Sequence, residues 1–118
     1  MTISTKFIGL DVHRDTISIA VADEGGDREI RFFGTVANDC EVLRKALASI
    51  GKDGAPLKVC YEAGPCGFVI YRFLKSLGID CVVISPSSMP RRPNDRVKTD
   101  RRDAQTLARL LRAGELTA

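Results

Sequence analysis

Lys6 to His13 reads KFIGLDVH and Thr16 to Ala22 reads TISIAVA. Both runs are rich in β-branched residues, and only Arg14 and Asp15 come after the first before the second nears, so an antiparallel hairpin is expected. Gly25-Gly26-Asp27 is a turn signal, and Glu29 to Val36 (EIRFFGTV) reads as a third strand in which Gly34 marks a weak point or a bulge. Asn38 with Glu41 forms a capping-box signature, and Leu43, Ala46, Leu47 and Ile50 make the apolar stripe of a helix ending at Gly51. Leu57 to Glu62 (LKVCYE) is a short buried strand. Pro65 opens a second helix with the stripe Cys66, Val69, Ile70, Phe73, Leu74 and Leu77, stopped by Gly78. Asp80 to Ser85 (DCVVIS) is a fifth strand, Ser85 to Pro93 a loop, and a last helix runs from about Asp100 to Ala113 with Gly114 as its stop.

The resulting order, β-β-β-α-β-α-β-α, predicts an α/β domain with a mixed five-stranded sheet, because each strand-helix-strand unit crosses over right-handed into a parallel pair. It is similar to the ribonuclease H-like order, in which the first strand is central and neighbours the fourth. Open α/β sheets hold their ligands at the carboxyl ends of the strands beside such a reversal.

The bulk properties agree with one domain. The chain has 118 residues, 44% of them hydrophobic, enough for a single core. No run approaches the roughly 20 apolar residues of a membrane helix, and MTISTKF lacks a signal-peptide layout, so a cytoplasmic protein with no membrane partner is expected. Cys40, Cys60, Cys66 and Cys81 contain no Cys-x-x-Cys pair and have one histidine to help them, which argues against zinc and for buried thiols. Residues 1–84 carry a net charge of −1 and residues 85–118 a net +4. Arg91, Arg92, Arg96, Lys98, Arg101 and Arg102 crowd into twelve residues, a density that suits a nucleic-acid backbone as well as a solvated surface.

The acids carry the chemistry. Asp11 ends the first strand and Glu62 the fourth; if those strands are adjacent and parallel, both carboxylates emerge at one edge of the sheet. A carboxylate ending an apolar central strand is costly unless solvated, hydrogen-bonded or bound to a cation. Asp100 and Asp103 share a face of the last helix with Leu107, Leu110 and Leu111, which must pack on the sheet. Locally the two acids also serve as a cap and as a complement to the helix dipole. Four carboxylates meeting at one edge would repel without divalent cations, and oxygen ligands suit Mg²⁺, with Mn²⁺ as a substitute. Two such ions suit phosphodiester chemistry. His13 shares the strand parity of Asp11 and is either a base or phosphate contact at the site or a polar turn residue; Asp15 is a weaker candidate.

GLDVHRDT, YEAGPCGF and VKTDRRDAQTLARLLRAGEL together resemble the one-hundred-and-ten family of insertion-sequence transposases, DEDD recombinases guided by a structured bridge RNA. The resemblance covers the whole chain. It implies a RuvC-like domain over residues 1–118 in which Asp11, Glu62, Asp100 and Asp103 are catalytic and bind Mg²⁺. It further implies double-stranded DNA and a guide RNA as partners, homo-oligomeric action of the full-length protein, and association with the nucleoid. Those transposases continue into a C-terminal domain with a serine nucleophile, which this chain is expected to lack; Ser85, Ser87 and Ser88, beside Pro86, read as loop chemistry. A Holliday-junction resolvase-like nuclease and a nucleic-acid-binding module inactive on its own are the alternatives. Actin-like ATPases need a glycine soon after the first-strand acid, where this chain has Val12-His13-Arg14.

Overall fold

A computed structural model describes residues 5–23, 30–52, 54–62, 68–84 and 100–114. The hairpin forms as expected: β1 (Lys6–Val12) and β2 (Thr16–Asp23) are antiparallel, with Leu10 opposite Ile19 and Asp11 opposite Ser18. β3 (Arg31–Ala37) pairs antiparallel with β2. Ile19 faces Gly34 while Ala20 faces Phe32, so Phe33 is the extra residue of a β-bulge, and Gly34 takes φ 153°, a value that favours glycine. The expected turn at Gly25-Gly26-Asp27 and the strand start at Glu29 lie outside the described residues. β4 (Leu57–Glu62) runs parallel to β1, and β5 (Asp80–Ile84) parallel to β4. The sheet order is β3-β2-β1-β4-β5, a mixed sheet with β1 in the centre.

Strand alternation divides the core between two faces. On one, Ile8, Leu10, Ile17, Ile19, Val21, Val59 and Tyr61 pack against α1 (Cys40–Ile50) and α2 (Val69–Ser76). The α1 stripe of Leu43, Ala46, Leu47 and Ile50 is buried as its spacing predicts. Its cap is Asp39 rather than Asn38: the Asp39 Oδ1 accepts from the amides of Glu41 and Val42 at 2.9 and 3.1 Å. Asn38 is diverted to the β1–β2 turn, where its side-chain amide donates to the His13 carbonyl at 2.6 Å.

In α2 only the centre of the expected stripe is covered. Ile70 and Leu74 are buried, whereas Val69 and Leu77 are 57% and 42% exposed. Val69 lies about 100° round the helix from Ile70, and Leu77 falls past the last helical residue, where the chain turns at Gly78 (φ 78°). Pro65 and Cys66, expected at the start of this helix, lie outside the described residues. The Tyr61 hydroxyl accepts from the Tyr71 amide at 3.1 Å, which ties α2 to the end of β4.

The opposite face belongs to α3 (Asp100–Ala113), which Gly114 ends at φ 73°. Ala104 and Ala108 pack on Ala20 and Ala22, while Leu107 packs on Cys60 and Ile84. Leu110 is also buried and Leu111 half-buried, in line with the predicted face. Gly9 sits directly beneath this helix: a Cβ there would overlap the Ala104 carbonyl oxygen and lie 2.5 Å from the Ala108 nitrogen and 2.8 Å from the Leu107 Cβ. Among the described residues no helix is long and apolar enough to cross a membrane.

Cys60 and Cys81 are buried, as read from the sequence, and Cys40 is half-buried; Cys66 lies outside the described residues. Burial, followed by the neighbouring Cys81, pushes the Cys60 thiol from 9.0 up to about 12. Burial, followed by the Asp80 carboxylate, does the same to Cys81.

Two outcomes follow from this packing. Gly9→Ala should cost about 1–3 kcal/mol in urea denaturation, because the obstructing atoms are helix backbone rather than a flexible side chain. The raised thiols favour the protonated form in the fold, so their contribution is fully present below pH 9 and is lost as pH rises from 9 towards about 12. Cys60→Ala should therefore lose less stability than the wild type over that interval, measured by urea melts at each pH.

Candidate functional site

Alternation along β1 puts Asp11 on the side of Gly9, and alternation along β4 puts Glu62 on the side of Cys60; both are therefore on the α3 face. Leu10 is paired with Tyr61 in the parallel ladder. Continued by one residue, that register sets Asp11 beside Glu62, on strands about 4.8 Å apart. A row of polar positions crosses the sheet here. Thr35 faces Ser18, Ser18 faces Asp11, and Glu62 follows on the next strand, opposite Ile84. Ser18 is fully buried, and its hydroxyl is bonded to that of Thr35 at 2.9 Å, so the apolar cost of placing it there is offset.

The Asp11 side chain is 15% exposed, and its Oδ2 lies 2.8 Å from the Nε2 of His13, whose side chain is 46% exposed. His13 is thus neither remote from the site nor a simple turn residue; it bonds the strand-end acid directly. The turn that carries it is closed by the His13 amide donating to the Thr16 carbonyl at 2.8 Å. Asn38 clamps the same turn from the β3–α1 junction. Its Nδ2 donates to the carbonyls of His13 and Arg14 at 2.6 and 3.3 Å, and its backbone amide donates to that of Asp15 at 3.0 Å. Asp15 itself is exposed and serves the turn through its backbone.

Asp100 and Asp103 occupy the first turn of α3, and Asp103 immediately precedes Ala104, the residue seated over Gly9. The fold therefore brings Asp11 and Glu62 into one row and carries the helix with the other two acids onto the same face. The side chains of Asp100, Arg101, Arg102 and Asp103 lie outside the described residues, as do Arg91, Arg92, Arg96, Lys98, Ser85, Ser87 and Ser88 altogether. Among the described residues, no group of three or more His, Cys, Asp or Glu side chains is gathered as a metal cluster.

Two residues near the site escape a local reading of the sequence. Asn38 reads as a helix cap because it is the right residue type just ahead of a helix, and only the tertiary pairing reveals the turn clamp. Arg14, at the tip of the β1–β2 turn, is an exposed cation whose carbonyl Asn38 also holds.

A mixed sheet in this order, with helices on both faces and a carboxylate ending its central strand, defines a ribonuclease H-like α/β domain. A sequence model of the DEDD transposases, described as a transposase, matches residues 8–118, and the chain belongs to that family. It is 50% identical over 112 residues to a Sinorhizobium fredii protein named for a transposase, y4qE, covering 95% of this chain and 29% of that one. It is 36% identical over 107 residues to the transposase for insertion sequence element IS1533 of Leptospira borgpetersenii, covering 91% of this chain and 31% of that one. A second Sinorhizobium fredii protein, named for transposase y4rJ, is 34% identical over 116 residues. The chain spans about three tenths of the length of these relatives.

Proposed function

We propose that this chain is the metal-binding catalytic domain of a DNA transposase, acting in phosphodiester cleavage and strand transfer. The observation that carries this reading is the row on the α3 face, where the register sets the strand-end acids Asp11 and Glu62 side by side at the carboxyl edge of two parallel strands. Two neighbouring carboxylates repel, and a shared divalent cation is the economical way to hold both ionised. Their donor chemistry fits: carboxylate oxygens are hard ligands, suited to Mg²⁺ or Mn²⁺. Asp100 and Asp103, from the first turn of α3, complete the proposed ligand set.

Mg²⁺ held there would supply positive charge to the reacting phosphodiester oxygens. The chain's own residues do the rest. Asp11 and Glu62 give the site a fixed base on the sheet, the buried Ser18 beside Asp11 is held by its hydrogen bond to Thr35, and α3 supplies the acids opposite. The basic stretch Arg91, Arg92, Arg96, Lys98, Arg101 and Arg102 precedes and enters that helix in sequence, and it binds the phosphates of double-stranded DNA or a structured guide RNA. The full-length protein acts as a homo-oligomer at the nucleoid of a bacterial cytoplasm.

Calorimetry with Mn²⁺ should show binding to the wild-type chain and none to Asp11→Ala; equal heats from both would remove Asp11 from the site. Asp103→Asn separates ligand from cap. A dipole complement alone loses about 0.3–1 kcal/mol on that change. A ligand instead leaves metal-free stability unchanged or higher, while the gain in melting temperature from Mg²⁺ shrinks. Replacing Arg91, Arg92 and Arg96 with alanine should reduce the slope of log affinity against log salt by up to about 2.7, at roughly 0.9 per lost phosphate contact on duplex DNA. An unchanged slope would assign those arginines to a solvated surface.

A further inference from the structure

We infer that Asn38 and His13 form a two-part brace that sets the orientation of the Asp11 carboxylate: Asn38 holds the β1–β2 turn, and the turn holds His13 on Asp11. The metal-affinity part of this inference rests on the proposed role of Asp11; the geometric part does not.

One residue engages three consecutive carbonyls. The side chain of Asn38 donates to His13 and Arg14, and its backbone amide donates to Asp15. Carbonyls in an exposed turn are readily hydrated, so these bonds are not required to satisfy them; what they fix is the position of the turn relative to the β3–α1 junction. The turn begins with His13, whose own amide is committed to Thr16, so its backbone is held at both its polar groups. From that backbone the imidazole reaches back two residues to the Asp11 Oδ2 at 2.8 Å.

A carboxylate has two oxygens and about four acceptor positions, so a donor at Oδ2 fixes the plane of the group without exhausting its capacity to bind a cation. An ordered ligand loses less freedom on binding metal, and partners that orient a ligand are typically worth 10–100-fold in metal affinity. Asn38 and His13 are therefore positioning residues, acting through Asp11.

The test uses the isotopically labelled 118-residue chain. Three-bond couplings from the Asp11 Cγ to its backbone nitrogen and carbonyl carbon report the side-chain rotamer without any metal. One rotamer is expected in the wild type, averaged couplings in His13→Leu, and a single rotamer again in His13→Gln, whose amide can donate over a similar reach. Asn38→Asp, which keeps the shape but removes the donor, should also average them. Calorimetry with Mn²⁺ on the same samples should show affinity falling about 10–100-fold in His13→Leu and Asn38→Asp, with His13→Gln close to the wild type. Should Asn38→Asp fail to fold, as judged by circular dichroism, the exposed His13 pair still decides. Wild-type couplings in His13→Leu would overturn the brace. A single, His13-dependent rotamer in a chain that binds no Mn²⁺ would uphold the brace and refute the metal site instead.

Discussion

The seating of α3 on β1 at Gly9 is the constraint on which the rest of the molecule depends. Helix backbone comes so near strand backbone there that a single methyl group has no room, and Ala20, Ala22, Ala104 and Ala108 keep the surrounding contact equally shallow. Small residues buy little burial energy individually, so the close approach needs another justification. It is supplied by position: Gly9 lies two residues before Asp11 on the same face, and Ala104 follows Asp103 directly. A larger residue at the contact would lift the first turn of α3 away from the acid row.

The two faces of the sheet thus divide the work. Large aliphatic side chains and Tyr61 fill the layer under α1 and α2, where most of the burial occurs. The α3 face is thinner, and towards the carboxyl edge it turns polar, from the alanines to Ser18, Asp11 and Glu62. A buried serine, bonded to the exposed Thr35 and placed beside a mostly buried acid, grades the change from core to site. The stability of one face holds a costly arrangement on the other in place.

Much of this was legible in the residues themselves. The β-branched runs around Arg14 and Asp15, the Leu43–Ile50 stripe and the alternation of strands with helices lead to the observed sheet, because each signal is local and its burial partner is fixed by crossover handedness. Asp11 and Glu62 were readable as neighbours for the same reason: the parallel β1–β4 pairing follows from the order of elements. The helix cap was not, because Asn38 and Asp39 are both good caps and only the distant turn decides between them. Nor was the exposure of Val69 and Leu77, since a stripe in sequence does not say how wide a strip the sheet covers. The Asp11–His13 bond depends on the bend of a turn, which residue spacing leaves undefined.

The bulge at Phe33 bears on something other than the site. β3 is the outer strand beyond β2, and an outer strand with an unbroken row of amides and carbonyls is a template on which a stray strand can be added. The extra residue interrupts the hydrogen-bonding repeat midway along β3 and sharpens its twist, while Gly34 takes up the distortion in its backbone. The sheet is thereby discouraged from growing sideways into fibrous aggregates, a useful safeguard for a strand that leaves an aromatic ring, Phe33, 43% exposed.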